Sequence, residues 1–177
     1  MNHDVLVLGG GPAGSTVATL LADKGFGVVV LDKDHFPRFH IGESLLPATV
    51  KIFDRLGVHQ QIREAFILKP GGKWLYGEKE VPGDFSKSDS GASFKEHPFS
   101  YLVERSEFDK ILIDRSIAAG ADVRFGTEVC KVLTDHGRVT GVRCRTEQGQ
   151  EYDLRGRIVI DASGLRSVIP SKLNLRK

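Results

Sequence analysis

Two apolar runs near the start of the chain, Val5-Leu6-Val7-Leu8 and Val28-Val29-Val30-Leu31, do not alternate with polar residues. Runs of this kind suit parallel strands buried on both faces. Between them Ala13, Val17, Leu20 and Leu21 recur at i, i+4, i+7 and i+8, which predicts a helix. Pro12 fits its first turn, where a missing N–H costs nothing, and Gly25 marks its end. The order strand, helix, strand predicts a βαβ unit, whose crossover should be right-handed.

The middle of the chain is less regular. Asp34 to Pro47 reads as a loop, and Pro47 through Leu56 as a helix closed by Gly57. Glycine and proline are dense from Lys69 to Pro98, so only short strands are expected there, around Lys73–Tyr76 and Phe99–Val103. A mobile loop rich in Ser and Asp should separate them. Ser106 and Asp109 predict a helix start, with Phe108, Ile111 and Leu112 inward and Gly120 ending it after about Ala119. The last third reads as strands at Asp122–Phe125, Glu128–Leu133, Val139–Thr146, Glu151–Leu154 and Arg157–Ile160. Turn signals at His136-Gly137 and Gln148-Gly149 predict that the middle three form an antiparallel meander.

Composition narrows the function. The 177 residues are 40% hydrophobic and 27% charged, as in a soluble globular protein. The net charge of +2 is small and the basic residues are scattered, which gives no case for a nucleic-acid partner. No apolar stretch approaches the roughly 20 residues of an integral membrane segment. Cys130 and Cys144 fall on neighbouring predicted strands without metal-ligand spacing, so reduced thiols and a cytoplasmic setting are expected. The six histidines form no close pair in sequence, read as scattered surface residues, and predict no metal site.

Candidate chemistry begins where the first strand ends. Gly9-Gly10-Gly11-Pro12-Ala13-Gly14 has the spacing G-x-G-x-x-G between a predicted strand and a predicted helix. Gly9 permits a tight turn, Gly11 lets a pyrophosphate approach the backbone, and Gly14 lets helix and strand pack closely. The anion would meet unpaired N–H groups at the positive end of the helix dipole. Asp32 ends the second strand eighteen residues past Gly14, where a carboxylate grips ribose hydroxyls. This order predicts an adenine-dinucleotide site without distinguishing NAD from FAD.

The following loop adds that distinction. Phe36-Pro37-Arg38-Phe39-His40-Ile41-Gly42-Glu43-Ser44-Leu45-Leu46-Pro47 resembles the segment after the second strand in flavin-dependent halogenases. It is also similar to that of geranylgeranyl-reductase-like and hydroxybenzoate-hydroxylase-like oxidoreductases. Val103 to Asp109 looks like the family's arginine-bearing helix start, Phe125 to Val129 like its adenine-facing strand, and Val159 to Gly164 like its strand-end Asp-Ala-Ser-Gly. The resemblance implies an α/β, Rossmann-like FAD-binding fold with a β-meander, spanning residues 1–177 as the amino-terminal portion of a longer domain. A small β-rich substrate portion would be inserted at about 68–103.

Under that resemblance FAD would be held by Gly9, Gly11, Pro12, Ala13, Gly14, Asp32, Lys33, Arg38, Ile41, Gly42, Glu43, Ser44, Arg105, Val129 and Asp161. Arg38 and Arg105 suit bidentate contact with pyrophosphate oxygens. Ile67-Leu68-Lys69-Pro70-Gly71-Gly72 resembles the halogenase stretch whose lysine handles hypohalous acid, which makes Lys69 the catalytic candidate. The implied function is halogenase-like oxidation of an electron-rich aromatic small molecule by reduced FAD and oxygen, with a separate flavin reductase as partner. A geranylgeranyl-type reductase or aromatic hydroxylase is the alternative enzyme. The family's Trp-x-Trp-x-Ile-Pro motif is absent, Trp74 being the only tryptophan, so a fold incomplete at the carboxyl end is expected. A truncated dinucleotide-binding module without turnover therefore stays open.

Overall fold

The computed structural model describes residues 3–87 and 95–175. The chain divides into two units, one of residues 1–38 and 112–177, the other of residues 39–111. Part of the Ser- and Asp-rich loop expected before Pro98, residues 88–94, lies outside the described residues.

The first unit begins with strand β1 (His3–Leu8), helix α1 (Pro12–Ala22) and strand β2 (Val28–Leu31), as the apolar pattern predicts. The second unit, residues 39–111, interrupts this order. The first unit resumes within α4 (Arg105–Ala118) and continues through β8 (Asp122–Arg124), β9 (Thr127–Asp135), β10 (Arg138–Thr146), β11 (Glu151–Asp161) and the short helix α5 (Val168–Lys172). Its sheet runs β8-β2-β1-β11-β10-β9. Neighbours from β8 to β11 are parallel, and β11, β10 and β9 pair antiparallel as the expected meander.

Why β1 and β2 lack alternation is visible in the packing. Val5, Val7, Val28 and Val30 face one core with Ala18 and Ile113, packed by Val17 and Leu21. Leu6, Leu8, Val29 and Leu31 face the other, with Val142, Cys144 and Leu154. Successive strand side chains point to opposite faces, so two buried faces demand an unbroken apolar run. Each such side chain contributes about 1.5–3 kcal/mol by leaving water.

One difference from the sequence expectation concerns the carboxyl end. The two expected strands around Arg155-Gly156 form one strand, β11. Residues Glu151 to Arg155 pair with β10, and Gly156 to Asp161 align with β1. Gly156 does not break the strand. A Cβ there would stand 2.8 Å from Leu6 Cγ, so the glycine admits a buried leucine.

The second unit contains β3 (Glu43–Ser44), a 3-10 turn at Pro47–Thr49, α2 (Val50–Leu56), α3 (His59–Ala65), β4 (Ile67–Lys69), β5 (Gly71–Tyr76), β6 (Lys79–Asp84) and β7 (Ser100–Val103). Strands β3, β7 and β4 form one antiparallel sheet, and β5 and β6 a hairpin. Gly57 closes α2 at φ +73°, a left-handed cap that glycine adopts without strain. The core gathers Val50, Phe53, Leu56, Ile62, Tyr101, Val103 and Phe108, with Phe53 and Phe108 edge to face at 5.7 Å. Trp74 is exposed and lies against Gly83 on the hairpin.

A strand-strand contact supplies a stability test. A Cβ on Gly141 would overlap the Leu154 carbonyl oxygen across the β10–β11 pair, whereas one on Gly27 would meet only Asp4, no closer than 3.5 Å. Gly141→Ala is expected to destabilise by about 1–3 kcal/mol or more, and Gly27→Ala by no more than about 0.5 kcal/mol, read as urea midpoints.

Candidate functional site

The three motif glycines have different reasons to be glycine. At Gly9, φ is +102° and a Cβ would come within 2.7 Å of the Ala162 carbonyl oxygen. A Cβ on Gly14 would overlap the Gly9 carbonyl oxygen, so the closeness of α1 to the turn excludes one. Gly11 has φ −68°, open to any residue, and its Cβ would meet only Arg38 Nη2 at 3.6 Å. The fold itself requires Gly9 and Gly14, and leaves open space over Gly11.

That space is positively lined. Pro12 opens α1, no side chain caps the helix, and its first turn carries no acid. The amides of Ala13 and Gly14 precede the intrahelical ladder and stand at the positive end of the dipole. Ser15 locks the turn, its hydroxyl donating to the Gly10 carbonyl at 2.7 Å.

Asp32 is buried at the end of β2. Its Oδ2 accepts the Gly10 N–H at 2.7 Å and its Oδ1 accepts the Asp34 N–H at 2.9 Å. Arg38 Nη2 stands 3.5 Å from Asp32 Oδ2, and Nη1 donates to Asp34 at 3.2 Å. The guanidinium lies 4.6 Å over the Phe36 ring, which packs tilted against Phe125 with centroids 5.4 Å apart. Its Nε is buried without a hydrogen-bond partner among the described residues. An open glycine face, an uncapped helix start and an arginine with an unused donor together fit a diphosphate ester. Lys33 is exposed beside Asp34.

The remaining first-unit candidates are Asp161 and Val129. Ala162 N–H donates to the Leu8 carbonyl at 2.9 Å, bringing the Asp161-Ala162-Ser163-Gly164 turn against Gly9. The Asp161 carboxylate accepts the Ser163 N–H at 3.1 Å and the Ile169 N–H at 2.7 Å, so it organises the start of α5. Val129, in β9, packs against the Leu6–Leu8 core.

In the second unit, the loop candidates converge on a different set of partners. Ile41 is exposed, and Gly42 approaches Val103 so closely that a Cβ would lie 3.0 Å from its carbonyl oxygen. Arg105 makes a bidentate pair with buried Asp109 at 2.7 and 2.9 Å and a further bond to Glu43. The Asp109 carboxylate, with Glu43 assisting, raises the Arg105 pKa and keeps it charged. Lys69 Nζ donates to Ser44 Oγ at 2.6 Å and to the Leu45 carbonyl at 2.7 Å, 5.0 Å from the centre of the Phe85 ring. Burial lowers the Lys69 pKa, while the two acceptors and the ring face favour the ammonium.

Two groupings escape sequence reasoning. Asp109 completes the Arg105 site, and its i+4 spacing was the available signal. His59 and His97 are not scattered surface residues: both reach Asp54, at 2.6 and 3.2 Å, and His59 Nε2 meets the buried Tyr101 hydroxyl at 2.8 Å. Burial raises the Tyr101 pKa. No sequence spacing signals that cluster. Among the described residues no group of three or more His, Cys, Asp or Glu is arranged to hold a metal, and no helix is long and apolar enough to cross a membrane. Cys130 and Cys144 are free thiols, the latter pushed up to about 12 by burial.

A family model described as FAD binding domain matches residues 2–176. The chain is 35% identical to a tryptophan 2-halogenase of Chondromyces crocatus, across 90% of this chain and 30% of that protein. It is 34% identical to a digeranylgeranylglycerophospholipid reductase of Methanopyrus kandleri, across 96% of this chain and 41% of that one. The solved myxobacterial chondrochloren halogenase, FAD-dependent by its description, superposes with a TM-score of 0.83 at 39% identity, covering 93% of this chain and 38% of that one. The chain thus spans less than half the length of these relatives. Matched over nearly all its residues, the chain belongs to the FAD binding domain family, and its cofactor is FAD.

Proposed function

We propose that this chain contributes the FAD site and the reactive lysine of a flavin-dependent halogenase acting on an electron-rich aromatic substrate. The observation that carries this reading is the fixed amine of Lys69, with two hydrogen bonds and an aromatic neighbour. Bound FAD, once reduced, supplies the electrons that activate oxygen, and a separate flavin reductase is the proposed source of reduced FAD.

The chain's own groups divide the remaining work. Gly11, the start of α1 and Arg38 bind the diphosphate, and Asp32 orients the ribose from the end of β2. Lys69 Nζ–H donates a hydrogen bond to the oxygen of a hypohalous acid. As the arene's π electrons form the carbon–halogen bond, the halogen–oxygen bond breaks and its pair stays on oxygen. That oxygen leaves as water once protonated, and the ring loses its proton. A cationic donor at Lys69 weakens the bond that must break.

The Methanopyrus kandleri reductase, at 34% identity, favours a second reading in which the same dinucleotide site serves a reduction that needs no lysine. A binding module without turnover is the third. Halide-dependent product from reduced FAD separates the first from both.

Gly11→Val is expected to leave the fold intact, because its side chain meets little protein, and to weaken FAD binding by at least about 100-fold through intrusion on the diphosphate. Flavin fluorescence quenching beside a thermal melt checks both halves, and unchanged affinity rejects the placement. Lys69→Ala is expected to retain FAD while abolishing halogenation in an active longer form. Because burial lowers the Lys69 pKa, the ammonium is lost as pH rises past a value below an ordinary lysine's. Halogenation rates should therefore fall on an alkaline limb in that lowered range, and a limb at or above the ordinary value counts against the ammonium as the working form.

A further inference from the structure

The acceptors that hold Lys69 are themselves held from the other side. Glu43 and Ser44 form a strand only two residues long, too short to be rigid alone. It is pinned by pairing of Glu43 with Val103 and Ser44 with Leu102, and by the Leu45 N–H donating to the Tyr101 carbonyl at 2.9 Å. Arg105 adds a charged tie to Glu43, and Arg105 is fixed in turn by Asp109, which is 0% exposed. Lys69 sits opposite Ser100 on β4, the far edge of the same sheet.

We infer that Ser44 is a positioning residue for Lys69: anchored through Glu43, Arg105 and Asp109, its hydroxyl and the adjacent Leu45 carbonyl aim the amine and hold it as an ammonium. An ammonium has three donors. Ser44 Oγ and the Leu45 carbonyl take two, and one remains for the oxygen of an incoming hypohalous acid. Both acceptors are neutral, so they favour the charged lysine, though less strongly than a carboxylate would. A carboxylate partner would hold the amine more tightly but would compete with the reactant for it. The Ser100 hydroxyl, buried and without a partner among the described residues, is a further polar group on this sheet.

This inference rests on the proposed role of Lys69, and the test separates the two. Lysine-labelled protein is titrated by NMR at Cε and Nζ, with the Lys69 signal assigned from Lys69→Arg. Ser44→Ala is expected to move the Lys69 midpoint downward by removing an acceptor, and Ser44→Thr to restore it. Ser44→Cys, a weaker acceptor of similar size, should shift it in the same direction as alanine, and serves if Ser44→Ala does not fold. In an active longer form, Ser44→Ala should lower halogenation by about 100-fold, as expected for a misplaced reactive group, and move the alkaline limb with the NMR midpoint. An unchanged midpoint in Ser44→Ala and Ser44→Cys overturns the positioning role. Halogenation retained in Lys69→Ala alongside a shifted midpoint in Ser44→Ala rejects the catalytic reading and leaves the positioning in place.

Discussion

Three backbone segments meet at the end of β1 because two side chains are missing there. With no Cβ on Gly9, the Ala162 carbonyl closes on the turn; with no Cβ on Gly14, α1 closes on Gly9. The first contact brings the carboxyl end of β11 beside that of β1, and the second sets the helix start directly over the strand. Open α/β sheets bind ligands at this edge because strand ends and helix starts converge there. Close packing thus accounts for Gly9 and Gly14, and Gly11 is the member of the triplet that packing does not explain.

The second unit is organised by charge and hydrogen bonding as much as by its core. Asp109, fully buried, has a bidentate guanidinium partner, the arrangement that makes a buried carboxylate tolerable. Arg105 passes that order to Glu43. The Arg105 guanidinium reaches two carboxylates. Its described role is to brace the loop from Gly42 to Leu45.

How much of this was legible depended on where the information was stored. The βαβ unit was readable because two buried faces force unbroken apolar runs, and the meander because glycines mark its turns. Gly156 was misread as a break, since sequence cannot tell a glycine that bends a chain from one that admits Leu6. Strands β3 and β6 were missed for related reasons: a two-residue strand has no period, and Pro82 and Gly83 look like punctuation although the exposed hairpin tolerates them. The tight glycine turn and the acid that ends β2 beside it were legible at residue level. The partners of Lys69 and Arg105 were not, because Ser44 lies 25 residues from Lys69 and Glu43 lies 62 from Arg105. The Asp54, His59, His97 and Tyr101 cluster depends wholly on how β7 lies near α2 and α3.

Strand β11 belongs to two architectures at once. Its first half is a member of an antiparallel meander and its second half a member of the parallel sheet, with no interruption between them. Loosening the meander would therefore loosen the strand that flanks β1 and carries Ala162 to the glycine turn. Opening of the two should be cooperative, so that solvent exchange at the amides of β10 rises and falls with that at the amides around Gly9.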